Sequence, residues 1–246
     1  MTEAMTTPKY NHLLAALPES AWRRISPQLT RVEMKLGEVI YEAGQHMEYV
    51  YFPTDCIISL LYVMIDGSSA EISVVGKEGV TGVAVFMGGE STPSRAVVQS
   101  KGFAYRMPAR SLKKEFNEHA EVRVLMLRYT QALITQMSQT AVCNRHHSID
   151  QQLCRWLLLS LDRLPDNRLT MTQELIANML GVRREGVTEA AGKLQKKGVI
   201  KYHRGHIDVI DRPQLEALCC ECYEVVRRET DRLVSGSRQE AADSVS

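Results

Sequence analysis

The apolar positions of this chain change period along its length. Between residues 11 and 29, Leu13, Leu14, Leu17, Trp22, Ile25 and Leu29 recur at roughly helical spacing, interrupted by Pro18 and Pro27. This predicts one or two short helices, the second opening at Pro18-Glu19-Ser20, because proline suits a first helical turn. From 30 to 107 the runs shorten and become β-branched and aromatic. Val39-Ile40-Tyr41, Val50-Tyr51-Phe52, the stretch 57–63 (IISLLYV), and 72–75, 96–98 and 103–105 are separated by glycines and turn residues. Regular short strands of this kind predict a sandwich or a barrel-like roll, with Asp66-Gly67 as its best hairpin turn. A helical region begins at 108–116, with Ser111 as a start. From 118 to 147 there is neither Gly nor Pro, and Leu125, Tyr129, Ala132, Leu133, Gln136, Met137 and Thr140 recur three and four apart. A helix of about 30 residues is about 45 Å long and needs something to pack on. The simplest partner is the same helix of a second copy, in a two-fold dimer; the alternative is burial under the chain's own β domain.

Ser148-Ile149-Asp150-Gln151 fits a capping box, so a new helix starts there and carries Trp156, Leu157, Leu159 and Leu161 into a core before breaking at 164–167. The stretch 172–210 then divides into two helices and a hairpin. With Gln173 as position 1 of a helix-turn-helix, Ala177 falls at position 5, Gly181 at 9 and Val187 at 15. Position 5 must be small where the helices cross, position 9 must tolerate positive φ, and position 15 anchors the second helix. The second helix, read as 183–197, turns Val187, Ala190, Ala191 and Leu194 inward and leaves Arg183, Arg184, Glu185, Thr188, Glu189 and Lys193 on other faces. Gly198 closes it, and VIKYHRGHIDVI alternates about Arg204-Gly205 as a hairpin wing. A single last helix is read over 213–234. Residues 1–9 and the tail 235–246 read as unstructured.

Charge adds a partner to this picture. Seven Lys/Arg and two acids lie between 182 and 206, a local +5 in a chain whose net charge is +1. Concentrated positive charge is the footprint of a phosphate backbone. Arg183, Arg184 and Glu185 occupy the first turn, where a recognition helix meets base edges, and Arg and Glu suit guanine and cytosine respectively. Lys193, Lys201 and Arg204 are the accompanying phosphate candidates. The competing reading is a winged-helix domain that binds protein.

At 246 residues, 44% hydrophobic and 24% charged, the composition is that of an ordinary soluble chain of one or two domains. No apolar run is long enough to span a membrane and no signal-peptide pattern opens the chain, so the expected location is cytoplasmic. The six cysteines are then expected reduced. Cys219-Cys220-Glu221-Cys222 could hold zinc or an iron–sulfur cluster, or sense oxidants. Its spacing is not Cys-x-x-Cys, so these thiols are read as packing, with no metal ligands assigned; a redox- or metal-responsive regulator is the alternative. His146-His147 beside Cys143 are read as hinge histidines. No catalytic triad or phosphate-binding glycine loop can be assembled, so no enzyme activity is expected.

The motifs GEVIYEAG (37–44), GVTGVAVF with SRAVV (79–98), the long helix before Ser148 and LGVRREGVTEAAGKLQKKGVI (180–200) together resemble the Crp/Fnr family of bacterial transcription regulators, over residues 11–212. The resemblance implies an α+β chain with an N-terminal antiparallel, jelly-roll-like β-roll (1–117), a dimerisation helix (118–147) and a winged helix-turn-helix (148–234). Leu125, Tyr129, Ala132, Gln136, Met137 and Thr140 would face the second copy. The partners implied are double-stranded DNA with a two-fold site, the second copy and RNA polymerase. The family's reading pattern is Arg-Glu followed four residues later by Arg or another polar residue; Arg184 and Glu185 match the first two, Glu189 stands where the cyclic-AMP-type members have the second Arg and implies a different base preference, and Thr172 and Gln173 match the position where the family's first helix touches phosphate. The effector pocket maps to Gly82, Val83, Ser94, Arg95 and Ala96. Cyclic-AMP binders carry Gly-Glu and Arg-Ser there, whereas this chain has Gly82-Val83 and Ser94-Arg95, and a one-place shift on a strand turns a side chain to the other face. Cyclic AMP is therefore disfavoured, and no cofactor is expected. Iron–sulfur members place most cysteines before the roll, where this chain has none.

Overall fold

The structure, a computed structural model, describes residues 7–203 and 205–235; Arg204, the first six residues and the rest of the tail assigned to 235–246 lie outside the described residues. The start is more ordered than its polarity suggests. Pro8–Tyr10 make a 3-10 turn, followed by α1 (His12–Ala15) and α2 (Glu19–Ile25), with Pro18 as the α2 N-cap. Asn11 explains the anchoring. Its Oδ1 accepts from the backbone N–H groups of Leu13 and Leu14, and its Nδ2 donates to the carbonyls of Pro53 and Gly79. A fully buried amide that satisfies both its ends in this way pins the segment to the β domain.

The β domain is two antiparallel sheets. One has the order β1 (Thr30–Met34), β7 (Gly102–Pro108), β3 (Tyr49–Pro53); the other runs β2 (Val39–Tyr41), β6 (Arg95–Ser100), β4 (Ile57–Val63), β5 (Ser69–Val75). Met34, Val50, Phe52, Ile58, Leu60, Val75, Ala96, Val98, Ala104 and Met107 fill the space between them. β4 and β5 meet at the expected turn: Gly67 has φ +84, and the Asp66 carboxylate accepts from Ser68. Two elements here do not follow from periodicity. β1 (TRVEM) buries only Met34, and α3 (Ala84–Met87) is a single turn that buries Val85 and Phe86 and ends at Gly88 in the left-handed region.

Two helices follow, α4 (Ala109–Glu118) and α5 (Ala120–His146), separated by an extended His119. α4 starts two residues before the expected Ser111. α5 lies along the roll. Gly79 permits its closest approach, because a Cβ there would collide with the ring and hydroxyl of Tyr129. Gln136 caps the edge of β5 as a strand would, accepting from Val74 N–H and donating to Val74 C=O. This covers an edge that would otherwise be open to pairing.

Ser148 and Gln151 form the expected capping box of α6 (Ile149–Leu161). Beyond it lie β8 (Arg168–Thr170), α7 (Gln173–Leu180), α8 (Arg184–Lys196), β9 (Ile200–His203), β10 (His206–Val209), α9 (Arg212–Leu218) and α10 (Cys222–Thr230), then a π turn over Asp231–Ser235. The wing is a three-stranded sheet of order β8-β10-β9. The single last helix expected over 213–234 is instead two helices. The chain extends at Cys219 (φ −77°, ψ 159°), and the bend turns Cys220 and Cys222 inward.

The second core joins the two halves. Ile57, Leu61 and Val74, on the outer face of the four-stranded sheet, pack in one cluster with Trp156, Leu157, Leu158, Leu180 and Val187. This is why β4 is apolar on both faces from Ile57 to Leu61, with Ser59 as the one polar residue: both faces are covered there. A polar seam crosses the same contact. Glu71 accepts from Trp156 Nε1–H at 2.9 Å and from Ser59 Oγ–H at 2.5 Å, Gln99 Nε2 donates to Ser160, and Arg163 pairs with Glu78 at 2.7 Å.

Candidate nucleic-acid interface

The helix-turn-helix is built from its local constraints upward. Thr172 is the α7 N-cap, its hydroxyl accepting from Leu175 N–H at 3.2 Å. Gly181 takes φ +65° and ψ 34°, which ends α7 without the steric penalty a Cβ would bring there. Ala177 is buried at the crossing, and Val187 is buried as the anchor of α8 with Ala190, Ala191 and Leu194 beside it. Arg183 is the α8 N-cap, so Arg184 and Glu185 occupy its first turn. All three are exposed. Among the described residues, Arg183, Arg184, Lys196, Lys197 and Lys201 are in no ion pair with a carboxylate, which leaves their charge for an external anion.

The other candidates are placed differently. Thr188 donates to Gln173 Oε1 at 2.8 Å, tying the outer face of α8 to the start of α7. Lys193 is engaged inside the chain, 2.9 Å from Glu189 and 3.1 Å from Asp150, and these carboxylates raise its pKa, Glu189 most. Lys193 and Glu189 thus neutralise each other, and Lys193 reaches toward α6. Lys201 projects from β9 of the wing; Arg204 lies outside the described residues.

The pocket residues divide as strand alternation demands. Gly82, Val83 and Ser94 line a cavity of about 200 Å³ in the roll, with Tyr41, Met47, Leu60, Ile72, Val80, Thr92, Leu133 and Met137. Among the described residues no charged side chain lines it. Burial pushes the Tyr41 phenol up to about 12, partly opposed by its hydrogen bond with Ser94. Arg95 is on the opposite face, 3.2 Å from Glu42, and Ala96 is buried in the sheet core; neither lines the cavity, which corrects their assignment.

The dimer candidates need the same correction. Leu125, Tyr129, Ala132, Gln136 and Thr140 are buried inside the chain, and Met137 is half-buried at the cavity. The chain's own roll and its C-terminal helices cover the face assigned to a partner; Thr140, for example, accepts from Arg155 of α6. A second face of α5 is left open: Val124, Leu127 and Ile134 are 48%, 50% and 55% exposed, and Gln131, Ser138 and Ala141 are exposed between and beyond them. These positions alternate three and four apart, the spacing of a coiled-coil seam. Periodicity alone missed this face because α5 is apolar on two sides. No helix among the described residues is long and apolar enough to cross a membrane.

The thiols also lie differently from their sequence spacing. Cys143, His147, Cys220 and Cys222 come together where α5 ends, although no local motif joins them.

Comparison with known proteins agrees with this layout. The cyclic nucleotide-binding domain family matches residues 31–119, and the Crp-like helix-turn-helix domain family matches 151–218, together well over half the chain. The global nitrogen regulator of Synechococcus elongatus is 23% identical over 210 residues, covering 82% of this chain and 94% of that protein. The fold is shared with FixK2 from Bradyrhizobium japonicum (TM-score 0.68, 19% identity, 78% of this chain and 98% of the other). It is also shared with a Crp/Fnr-family transcriptional regulator from Thermus thermophilus (TM-score 0.61, 20% identity, 77% and 97%).

Proposed function

The chain belongs to the Crp/Fnr family of transcription regulators, and from that premise we propose that it acts as a cytoplasmic homodimer reading a two-fold-related DNA site. The observation that carries this reading is the first turn of α8: Arg183, Arg184 and Glu185 stand exposed, the two arginines without carboxylate partners among the described residues, beyond a turn held by Gly181. Arg184 and Glu185 are placed to meet base edges, and Arg183, Lys196, Lys197 and Lys201 to meet phosphates. Thr172 and Gln173 act by setting the angle between α7 and α8, with the exposed Thr172 backbone at the phosphate side.

Pairing through the seam Val124, Leu127, Gln131, Ile134, Ser138 and Ala141 would bring two reading heads onto successive major grooves, about 34 Å apart. This seam replaces the buried set that starts at Leu125. The neutral, largely apolar lining of the roll cavity supports a small uncharged effector rather than a cyclic nucleotide, whose phosphate needs a cation there. Because Leu133 and Met137 of α5 help line the cavity, an effector filling it would bear on the seam helix directly. It would act by preferring the DNA-competent arrangement. Contact with RNA polymerase is the remaining partner of this reading.

The test is selection of binding sites from random duplex DNA by the full-length protein, with sedimentation of the wild type and of Ile134→Glu. The reading expects an inverted-repeat site and a dimer that Ile134→Glu separates into monomers. An enriched site without two-fold symmetry, or a dimer indifferent to Ile134→Glu, overturns the paired-reader arrangement.

A further inference from the structure

Four side chains that this reading does not use meet at the junction between α5 and the DNA-reading half. Cys143 is in the last turn of α5, His147 is its C-cap, and Cys220 and Cys222 flank the bend between α9 and α10. One donor atom from each lies within 4.8 Å of all the others. Cys143 Sγ is 3.6 Å from Cys220 Sγ, and Cys222 Sγ is 3.6 Å from His147 Nδ1. Tetrahedral zinc holds sulfur at about 2.3 Å and imidazole nitrogen at about 2.0–2.1 Å, which sets S···S edges of about 3.8 Å and S···N edges of about 3.6 Å. We propose that Cys143, His147, Cys220 and Cys222 bind one zinc ion.

Three further observations separate this site from simple packing of small thiols. First, an imidazole belongs to the cluster and is oriented for it. Glu221 Oε2 lies 3.4 Å from His147 Nε2, the carboxylate-behind-histidine arrangement that holds a proton on one ring nitrogen and frees the other for a metal. Second, Arg155 is buried beside the cluster and acts electrostatically on Cys143. Its Nη1 donates to Thr140, its Nε has no hydrogen-bond partner, and no carboxylate lies within ion-pairing distance among the described residues. Three thiolates and Zn²⁺ leave one net negative charge beside Arg155, whose other electrostatic partner, the buried Glu71, makes no ion pair with it among the described residues. Third, the geometry distinguishes among thiol chemistries. A contact of 3.6 Å is far from the about 2.05 Å of a disulfide. A polynuclear iron–sulfur cluster places several atoms between its terminal thiolates and needs them further apart. Cysteine-rich donor sets closed by one histidine are those of structural zinc, with no open position for a reaction.

The ion would tie the C-terminal helix pair to the end of α5, across the turn at His147 and Ser148 from which the reading half hangs. It would thereby hold one orientation of α8 relative to the seam helix.

The full-length protein, purified under reducing conditions, is expected to carry about one zinc per chain by elemental analysis. After chelation it should take up cobalt(II) with the visible ligand-field bands and the sulfur-to-cobalt charge-transfer band of a tetrahedral thiolate site. Cys222→Ser and His147→Ala should weaken uptake at least about tenfold. Cys56→Ser, whose thiol is buried in the roll, should leave it unchanged. Wild-type protein that takes up neither zinc nor cobalt overturns the assignment without reliance on any variant. So does a Cys222→Ser protein that binds both as tightly as the wild type, or iron held with the absorbance of a cluster. Metal content is read independently of DNA binding, so failure here leaves the reading head untouched, and the reverse.

Discussion

The roll cavity and the reading head are built from opposite kinds of residue. In the head, the residues placed to touch a ligand are charged, exposed and packed into one short stretch, with Arg183, Arg184 and Glu185 in sequence and Lys201 one hairpin further on. In the roll, the residues facing the cavity are mostly apolar and come from strands, turns and α5, with Ser94, Thr92 and the tyrosine hydroxyls as the polar points. The head meets a polyanion that any regulator of DNA must meet, and its chemistry is constrained by that. On the proposed function the roll meets a small uncharged effector instead, which holds its lining to no single chemistry. Between them lies the seam of Glu71, Trp156, Gln99 and Ser160 on the outer face of the four-stranded sheet, and the contrast holds only if that seam makes the two regions one mechanical unit.

The most damaging test of that unit is Leu157→Ala. Leu157 is fully buried in the cluster that contains both Ile57 of the roll and Val187 of the head. Truncation should cost about 2–5 kcal/mol, and it should lower the stability of both regions together. Denaturant unfolding followed by Trp156 fluorescence and by far-ultraviolet circular dichroism should give one coincident, shifted transition. A roll that keeps its wild-type midpoint while the head melts early would show two loosely joined bodies.

The second test uses pH on the same seam. Burial pushes the Glu71 carboxyl up to about 7, against the lowering effect of hydrogen bonds from Ser59 and Trp156. Its folded value lies above the unfolded one, so the neutral acid is the form the fold prefers. That contribution is complete below the unfolded value of 4.5 and is lost as pH rises through about 7. The difference corresponds to about 3 kcal/mol of stability between about pH 4 and pH 8. Glu71→Gln should flatten this slope while keeping an acceptor for Trp156. Chemical denaturation across that range checks it, and a slope unchanged in Glu71→Gln would assign the pH dependence elsewhere.

The head was legible in the sequence because its constraints are local. Ala177, Gly181 and Val187 each answer one steric demand of the short α7–α8 crossing, and Ser148 with Gln151 closes a capping box on itself. The roll was legible as a class, since glycine-punctuated β-branched runs have few other solutions, but not in detail. β1 is an edge strand that buries one side chain, so its sequence carries no alternation to read. Which face of α5 meets the roll was hidden because both faces are apolar: Leu125 and Leu127 look equivalent in sequence and are buried and half-exposed in the fold. The break at Cys219 has no Gly or Pro to mark it and goes with the packing of Cys220 against Cys143, 77 residues away along the chain. Long-range partners of that kind leave no spacing to recognise.

The third test returns to the head. Arg184→Ala should weaken specific DNA binding by about 1–3 kcal/mol and relax the preference at one position of each half-site. Fluorescence anisotropy on the selected site and on its single-base variants separates this from a phosphate role, which would weaken all sequences alike. Such uniform loss would move Arg184 from the base-reading set to the backbone set and leave Glu185 as the only first-turn residue with sequence information.

The smallest effect is the most discriminating, because it turns on a pairing inside the chain. Lys193 and Lys201 have the same charge and belong to the same basic segment, and from sequence they are equal phosphate candidates. In the fold Lys193 is held between Glu189 and Asp150, whereas Lys201 has no carboxylate partner among the described residues. A phosphate contact by Lys201 releases counterions without breaking anything. The same contact by Lys193 must first give up two carboxylates, which are exposed and contribute little but still compete. Lys201→Ala should therefore reduce the dependence of log affinity on log salt by about one contact per half-site, and Lys193→Ala by clearly less. Anisotropy titrations over a range of salt concentrations give both slopes. Equal reductions would mean that Lys193 leaves Asp150 when DNA arrives, so that α8 shifts relative to α6 on binding, and the head would then be a moving part rather than the rigid reader that its buried turn describes.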